Sequence, residues 1–339
     1  MGNFFLTIKD LFKSGMKMFD REKIIILDGR VSMDTEPKKF IDKFSDVFST
    51  KDSYNSLVID LTKAVFIYPS ALIFILSLKE ALAEDEIEIT MKIEEGGELH
   101  WYLHHCGAAA YFSIPIFEKK EGVELKSEHS TVFPLKKESA INDTNKTAIE
   151  IVSIIKKAQD MTDLVEARTI DSIDEILRNI SQHSSYSEYL ILGQTYPQTK
   201  RIRYVFYDNG MGIKKHLTRE PYDSTHNYFK NAVSRERYEE IKRSPANEAI
   251  KEASIDGVTA SKNLNINSGA GLNFLLKELI PVTDGAITIV SGDGYVQWEK
   301  DQIKHDFSLP FQVPGTLISL VINCEDNTQL IYNTEVTVI

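Results

Sequence analysis

The stretch AVFIYPSALIFILSL, Ala64 to Leu78, constrains this chain more than any other. It is almost wholly apolar, yet Pro69 interrupts it and it falls short of the ~20 residues that a membrane-spanning helix needs. Such a run belongs in a protein core, so the rest of the chain must build an interior large enough to cover it. With 339 residues, 42% hydrophobic and 26% charged, it can do so in about two domains and has no fibrous or disordered character. A net charge of -11 argues against a protein whose main task is to bind nucleic acid backbones, which calls for a basic face. Cys106 and Cys324 lie far apart without C-x-x-C spacing. Neither a disulfide framework nor a zinc site is expected, and a reducing cytoplasm is the expected setting.

The chain divides by pattern. In residues 1–22, Phe5, Ile8, Phe12 and Met16 recur at helical spacing beside Lys9, Lys13 and Lys17, a pattern that would suit a membrane surface but reads instead as an amphipathic extension that docks on protein. Residues 23–118 alternate short strands and helices: IIILDGRV, KFIDKFSDVF, SLVIDL, SALIFILSLKEALA, EIEITMKI and LHWYLHHCGAAAYF. This predicts a small α/β sheet domain. Residues 119–146 are polar and charged, with one strand signal around Val132, and read as a linker. Residues 147–339 open with two helical patterns, KTAIEIVSIIKKAQD and IDSIDEILRNISQHS. Strand-like runs follow, EYLILGQTY, RIRYVFYD, AITIVSG, YVQWEK and GTLISLVI. The expected fold class is therefore a two-domain α/β protein whose second domain packs helices on one face of a mixed, mainly antiparallel sheet.

Chemistry-bearing residues concentrate in that second part. Glu175, Asn179 and His183 stand four residues apart, which keeps them on one side of a helix. The run IRYVFY leads straight into DNGMGI, where Asp208 is followed by Gly210 and Gly212. Glycines so placed let the backbone take φ > 0 or approach a bulky ligand. In SGAGLNFLLKEL, Gly269 and Gly271 precede a helical period, and a glycine-led helix start offers free N–H groups to an anion. A late Gly-Thr pair, Gly315 and Thr316, opens the last strand-like run.

In this order the four elements resemble the GHKL superfamily of ATPases, the Bergerat fold of gyrase, histidine kinases and the 90-kDa heat-shock chaperones, over roughly Thr147 to Cys324. The resemblance implies ATP and Mg²⁺ as ligands. Asp208 would accept a hydrogen bond from the exocyclic amine of adenine, where guanine turns an acceptor toward the same carboxylate. Gly210 and Gly212 would let the main chain pass close to base and sugar. Asn179 would ligate Mg²⁺, and Glu175, one turn earlier, would orient or deprotonate the attacking water. Gly269, Gly271 and Leu272 would give backbone N–H groups to the phosphates, Thr316 would bond near the adenine, and His183 and Lys262 are candidates near the phosphates. The charged stretch 213–268 corresponds to the family's lid. His104 and His105 sit in a pattern that reads as packed helix, so the phosphoacceptor helix of a sensor histidine kinase is not expected.

The segment SLVIDLTKAVFIYPSALIFILSLKEALA resembles the STAS-like domain of anti-sigma-factor antagonists, in which a loop serine is phosphorylated; Ser70 lies nearest that position. Tyr68, Pro69 and Ala71 depart from the family's pattern there. Together the resemblances imply a bacterial regulator, an ATP-hydrolysing switch acting through a regulatory protein partner or a homodimer. A serine/threonine kinase of the anti-sigma type and an ATP-binding adaptor with negligible turnover are the alternatives.

Overall fold

A computed structural model describes residues 21–117, 132–139, 143–158, 163–183, 188–196, 199–218, 235–255 and 271–323. The amphipathic pattern of residues 5–16, together with Cys324, falls outside these. Strands β1 (Glu22–Val31), β2 (Ser56–Ile67) and β3 (Glu88–Lys92) form a parallel sheet in that order. Helix α1 (Pro37–Asp42) follows β1, α2 (Pro69–Ala83) joins β2 to β3, and α3 (Glu98–His105) follows β3. The alternation expected for residues 24–116 is present, with one difference. KFIDKFSDVF was expected to be a helix throughout, but α1 stops at Asp42 and the chain continues in turns. Ser45, Ser49 and Thr50 donate their hydroxyls to the Asp42 and Asp46 carbonyls, the local competition that makes such residues poor in helix interiors.

Helix α2 is the hinge of the architecture. Tyr68 is extended, as a residue before proline must be, and Pro69 starts the helix with its φ already set. Every residue from Pro69 to Leu78 is buried, and a helix that is apolar all round needs cover all round. One side of α2 meets β3; the other meets β5, β6 and β8 of a second sheet.

That sheet contains β4 (Val132–Ser139), β5 (Glu188–Tyr196), β6 (Arg201–Asp208), β7 (Ala286–Glu299) and β8 (Gln302–Asn323) in the order β4-β5-β6-β8-β7. Every neighbouring pair is antiparallel. The fold is thus a mixed α/β assembly of a parallel three-stranded sheet and an antiparallel five-stranded one. The strand signalled around Val132 is the edge of the larger sheet, and the Leu135 N–H donates to the Cys106 carbonyl at 2.7 Å. AITIVSG and YVQWEK turn out to be one strand, broken in register between Ser291 and Gly294.

Alternation along the strands sorts the two faces of the larger sheet. Tyr189, Ile191, Tyr204, Phe206, Ile287, Ile289, Ile318 and Leu320 share a core with Ile151 and Val152 of α4 (Thr144–Ala158) and Ile173, Ile176 and Leu177 of α5 (Asp163–His183). The intervening Leu190, Leu192, Val205, Tyr207, Val290 and Leu317 join the core of the parallel sheet and α2. Helices were expected on one face only; α4 and α5 cover that face, and α2 covers the other.

Polar contacts cross between the layers as well. Asp34, 7% exposed, accepts hydrogen bonds from Arg203 at 3.0 Å, Ser70 at 2.7 Å and Ser319 at 3.2 Å, while the Arg203 guanidinium lies 4.5 Å from the Tyr68 ring centre. No helix of the described residues is long and apolar enough to cross a membrane.

Candidate functional site

The site grows from the strand ends. Because β6 alternates faces, Asp208 falls on the same side as Tyr204 and Phe206, toward α5. The register places Tyr189 of β5 and Thr316 of β8 on either side of Asp208, and Ser291 of β7 beside Thr316. At the end of β6 four strands thus align a row of oxygen-bearing side chains, Tyr189, Asp208, Thr316 and Ser291. All four are buried.

The loop after β6 folds back on this row. One carboxylate oxygen of Asp208 accepts the Gly210 N–H at 2.7 Å. Gly212 has φ +77°, and a side chain there would meet the Ser291 hydroxyl. Ser291 Oγ accepts the Ile213 N–H at 2.9 Å and donates to the Gly315 carbonyl at 2.9 Å. It thereby ties the start of α6 (Ile213–Leu217) to β8. Gly315 has φ +65°, and a Cβ on it would sit 1.8 Å from the Asp208 carbonyl oxygen, so only glycine fits. The Gly-Thr pair was expected to open a strand. Instead it lies inside β8, where Ser291 pairs with Thr316 but Gly292 pairs with Val313. Pro314 and Gly315 form the resulting bulge, a device that re-aims side chains beside a site.

Burial, partly offset by the Gly210 N–H and reinforced by the nearby Glu80 carboxylate, pushes the Asp208 carboxyl up to about 7. A carboxylate held dry at a strand end costs stability and needs a compensating use.

Glu175 is half-buried on α5, which packs on β5 and β6. Gly271 begins α9 (Gly271–Phe274), preceded in the chain by α7 (Arg235–Arg243) and α8 (Ala246–Ala253), and α9 packs against α5. The helix of Glu175 and the glycine-led helix are therefore neighbours, and Leu272 lies against the same core. The side chains of Asn179 and His183, and all of Gly269 and Lys262, lie outside the described residues. Within 213–268, α8 is docked on β7, with Ala249 and Ile250 buried and the Ala246 N–H donated to Asp293 at 3.1 Å.

The sequence reading missed Ser291 and had Gly315 only as the opening of a strand. Ser291 carried one signal: it continues the parity of Ile287 and Ile289, so it had to share their face. Ser70 is 2% exposed and its hydroxyl is donated to Asp34, which leaves it inaccessible to a phosphoryl donor in this conformation. Among the described residues no cluster of His, Cys, Asp or Glu is placed to hold a metal ion. No family model matches the chain, and neither the curated proteins nor the solved structures contain a match to it.

Proposed function

We propose that this chain binds ATP at the corner built by Asp208, Gly210, Gly212, Gly315 and Thr316, and hydrolyses it as a regulatory switch. One observation carries the reading: a buried carboxylate ends a central strand inside a glycine-framed loop, with hydroxyls beside it. That arrangement fits adenine, whose exocyclic amine needs an acceptor and whose flat ring needs backbone without side chains in its way. The order of motifs resembling the GHKL ATPases supports the same reading, as does the packing of the glycine-led α9 on the helix of Glu175. In this account Glu175 takes the proton of a water that attacks the γ-phosphorus as the bond to the β–γ bridging oxygen breaks, giving ADP and phosphate. Asn179 is the residue that would hold Mg²⁺, whose charge would offset that of the phosphates. The parallel-sheet layer, in which residues resemble a STAS-like domain, would carry the nucleotide state to a protein partner or a second copy.

Asp208→Asn separates binding from stability. It should weaken ATP binding by about 1.5–3 kcal/mol, the worth of a hydrogen bond to a charged group. The same change should stabilise the fold. The native carboxyl holds its proton to about pH 7, whereas an unfolded one releases it near the ordinary 3.8. The native state of the parent therefore binds more protons between these values, and its stability falls as pH rises from about 4 to about 7 and is flat above. Asparagine has no such loss, so the variant's advantage should grow over that range, to roughly 1–4 kcal/mol at pH 8. Calorimetric titration with ATP and urea unfolding across pH check both arms.

A further inference from the structure

The strand that carries the candidate nucleotide corner is also bonded to the parallel-sheet layer one residue earlier. Tyr207, 1% exposed, faces α2 and donates its hydroxyl to Glu80 at 2.8 Å. Asp208 follows it and faces the other way, toward α5. The ring of Tyr207 is packed in the core shared by α2 and the larger sheet, so its hydroxyl has one direction in which to point. Any movement of α2 along the sheet changes the Glu80–Tyr207 bond, and with it the strand end on which Asp208 sits.

We propose that Glu80 is a positioning residue of the nucleotide site, through which helix α2 sets how readily Asp208 receives adenine. This rests on the ATP reading given above. Two effects act together. The hydrogen bond fixes the β6 terminus through Tyr207, and the Glu80 carboxylate opposes a second negative charge nearby. Burial is the larger cause of the elevated Asp208 titration, and Glu80 is the charged side chain that adds to it. On the flanking strands, Tyr189 and Thr316 bring hydroxyls instead of charges. On α5, Asp174 and Arg178 are paired with each other and Glu175 lies half-buried; on α2, Lys79 is directed to the Tyr111 carbonyl. An anionic Glu80 disfavours the ionised acceptor that adenine's amine needs, so removing its charge while keeping an acceptor for Tyr207 would raise nucleotide affinity.

The test uses the full chain and the variants Glu80→Gln, Tyr207→Phe and Asp208→Asn, titrated with ATP and Mg²⁺ from pH 6 to pH 8. Parent affinity should rise with pH as Asp208 ionises, and Asp208→Asn should show no such rise. Glu80→Gln keeps an acceptor for Tyr207 but removes the charge. Its rise should come at lower pH, with ATP bound roughly three-fold tighter than by the parent at pH 6.5. Tyr207→Phe keeps the charge and loses the bond; it should leave the pH midpoint in place and weaken binding at pH 8. A Glu80→Gln midpoint identical to the parent's overturns the proposal, as does parental affinity in Tyr207→Phe at pH 8. The carboxyl ¹³C titration of Asp208 in nucleotide-free protein, assigned by its absence in Asp208→Asn, gives an independent arm. A shift to lower pH in Glu80→Gln supports the coupling, and no shift refutes it. If that shift appears and no variant or parent binds ATP, the nucleotide reading fails while the Glu80–Asp208 coupling stands.

Discussion

Replacing Glu175 by alanine is expected to cut ATP hydrolysis by about 10²–10⁴-fold, the range for a lost general base, while leaving ATP affinity unchanged or slightly higher. The helix of Glu175 packs on β5 and on β6, which ends at Asp208, and against the helix that starts at Gly271. A carboxylate in that setting would repel a bound polyphosphate whatever its role, so removing it should relieve the repulsion. Asn179→Ala should behave differently, losing magnesium-dependent binding together with turnover. Phosphate release and ATP affinity measured on both variants check this. Parental turnover in Glu175→Ala would remove Glu175 from the mechanism, whereas ATP binding without phosphate release by the parent itself would leave a nucleotide-binding adaptor.

The largest effect on stability should come from the buried ion pair between the layers. Arg203→Ala leaves the Asp34 carboxylate, 7% exposed, with only the Ser70 and Ser319 hydroxyls to satisfy it. A buried charge stripped of its partner costs about 3–5 kcal/mol, far more than an exposed pair of the same length. The variant also loses the stack on Tyr68. By contrast the pair Lys39–Glu36 at 2.9 Å has both side chains mostly in solvent, and its loss should be hardly measurable. Urea unfolding of Arg203→Ala beside Lys39→Ala tests the contrast. The double change Asp34→Asn with Arg203→Met should recover much of the loss, because it removes both charges and keeps volume.

Much of this was readable from the sequence, and particular residues show where legibility stopped. Strand β6 and its exit through Asp208 were legible because RIRYVFYD is dense in β-branched and aromatic residues and is followed by paired glycines. Helices α4 and α5 were legible from their apolar period. The run from Pro69 to Leu78 announced burial, but nothing local says that a helix apolar on all sides will be covered by two sheets, since the second of them comes from residues more than 100 positions away. Strand β8 was legible only in its last third. Pro310 and Pro314 and the polar stretch from Gln302 hid the rest, because proline lacks the N–H that a central strand uses. Ser291 belongs to the corner through register across β7, β8 and β6, and register between strands distant in sequence is not a local property.

The central claim is that the Asp208 corner receives adenine. Calorimetric titration of the intact chain with ATP and with GTP, each with Mg²⁺ at pH 8, tests it most directly. At that pH the Asp208 carboxyl, which titrates at about 7, is mostly ionised and can accept the adenine amine. The account predicts that ATP binds, that GTP binds at least ~10-fold more weakly, and that Asp208→Asn removes the preference. Equal affinity for the two nucleotides, or no binding of either, would contradict it.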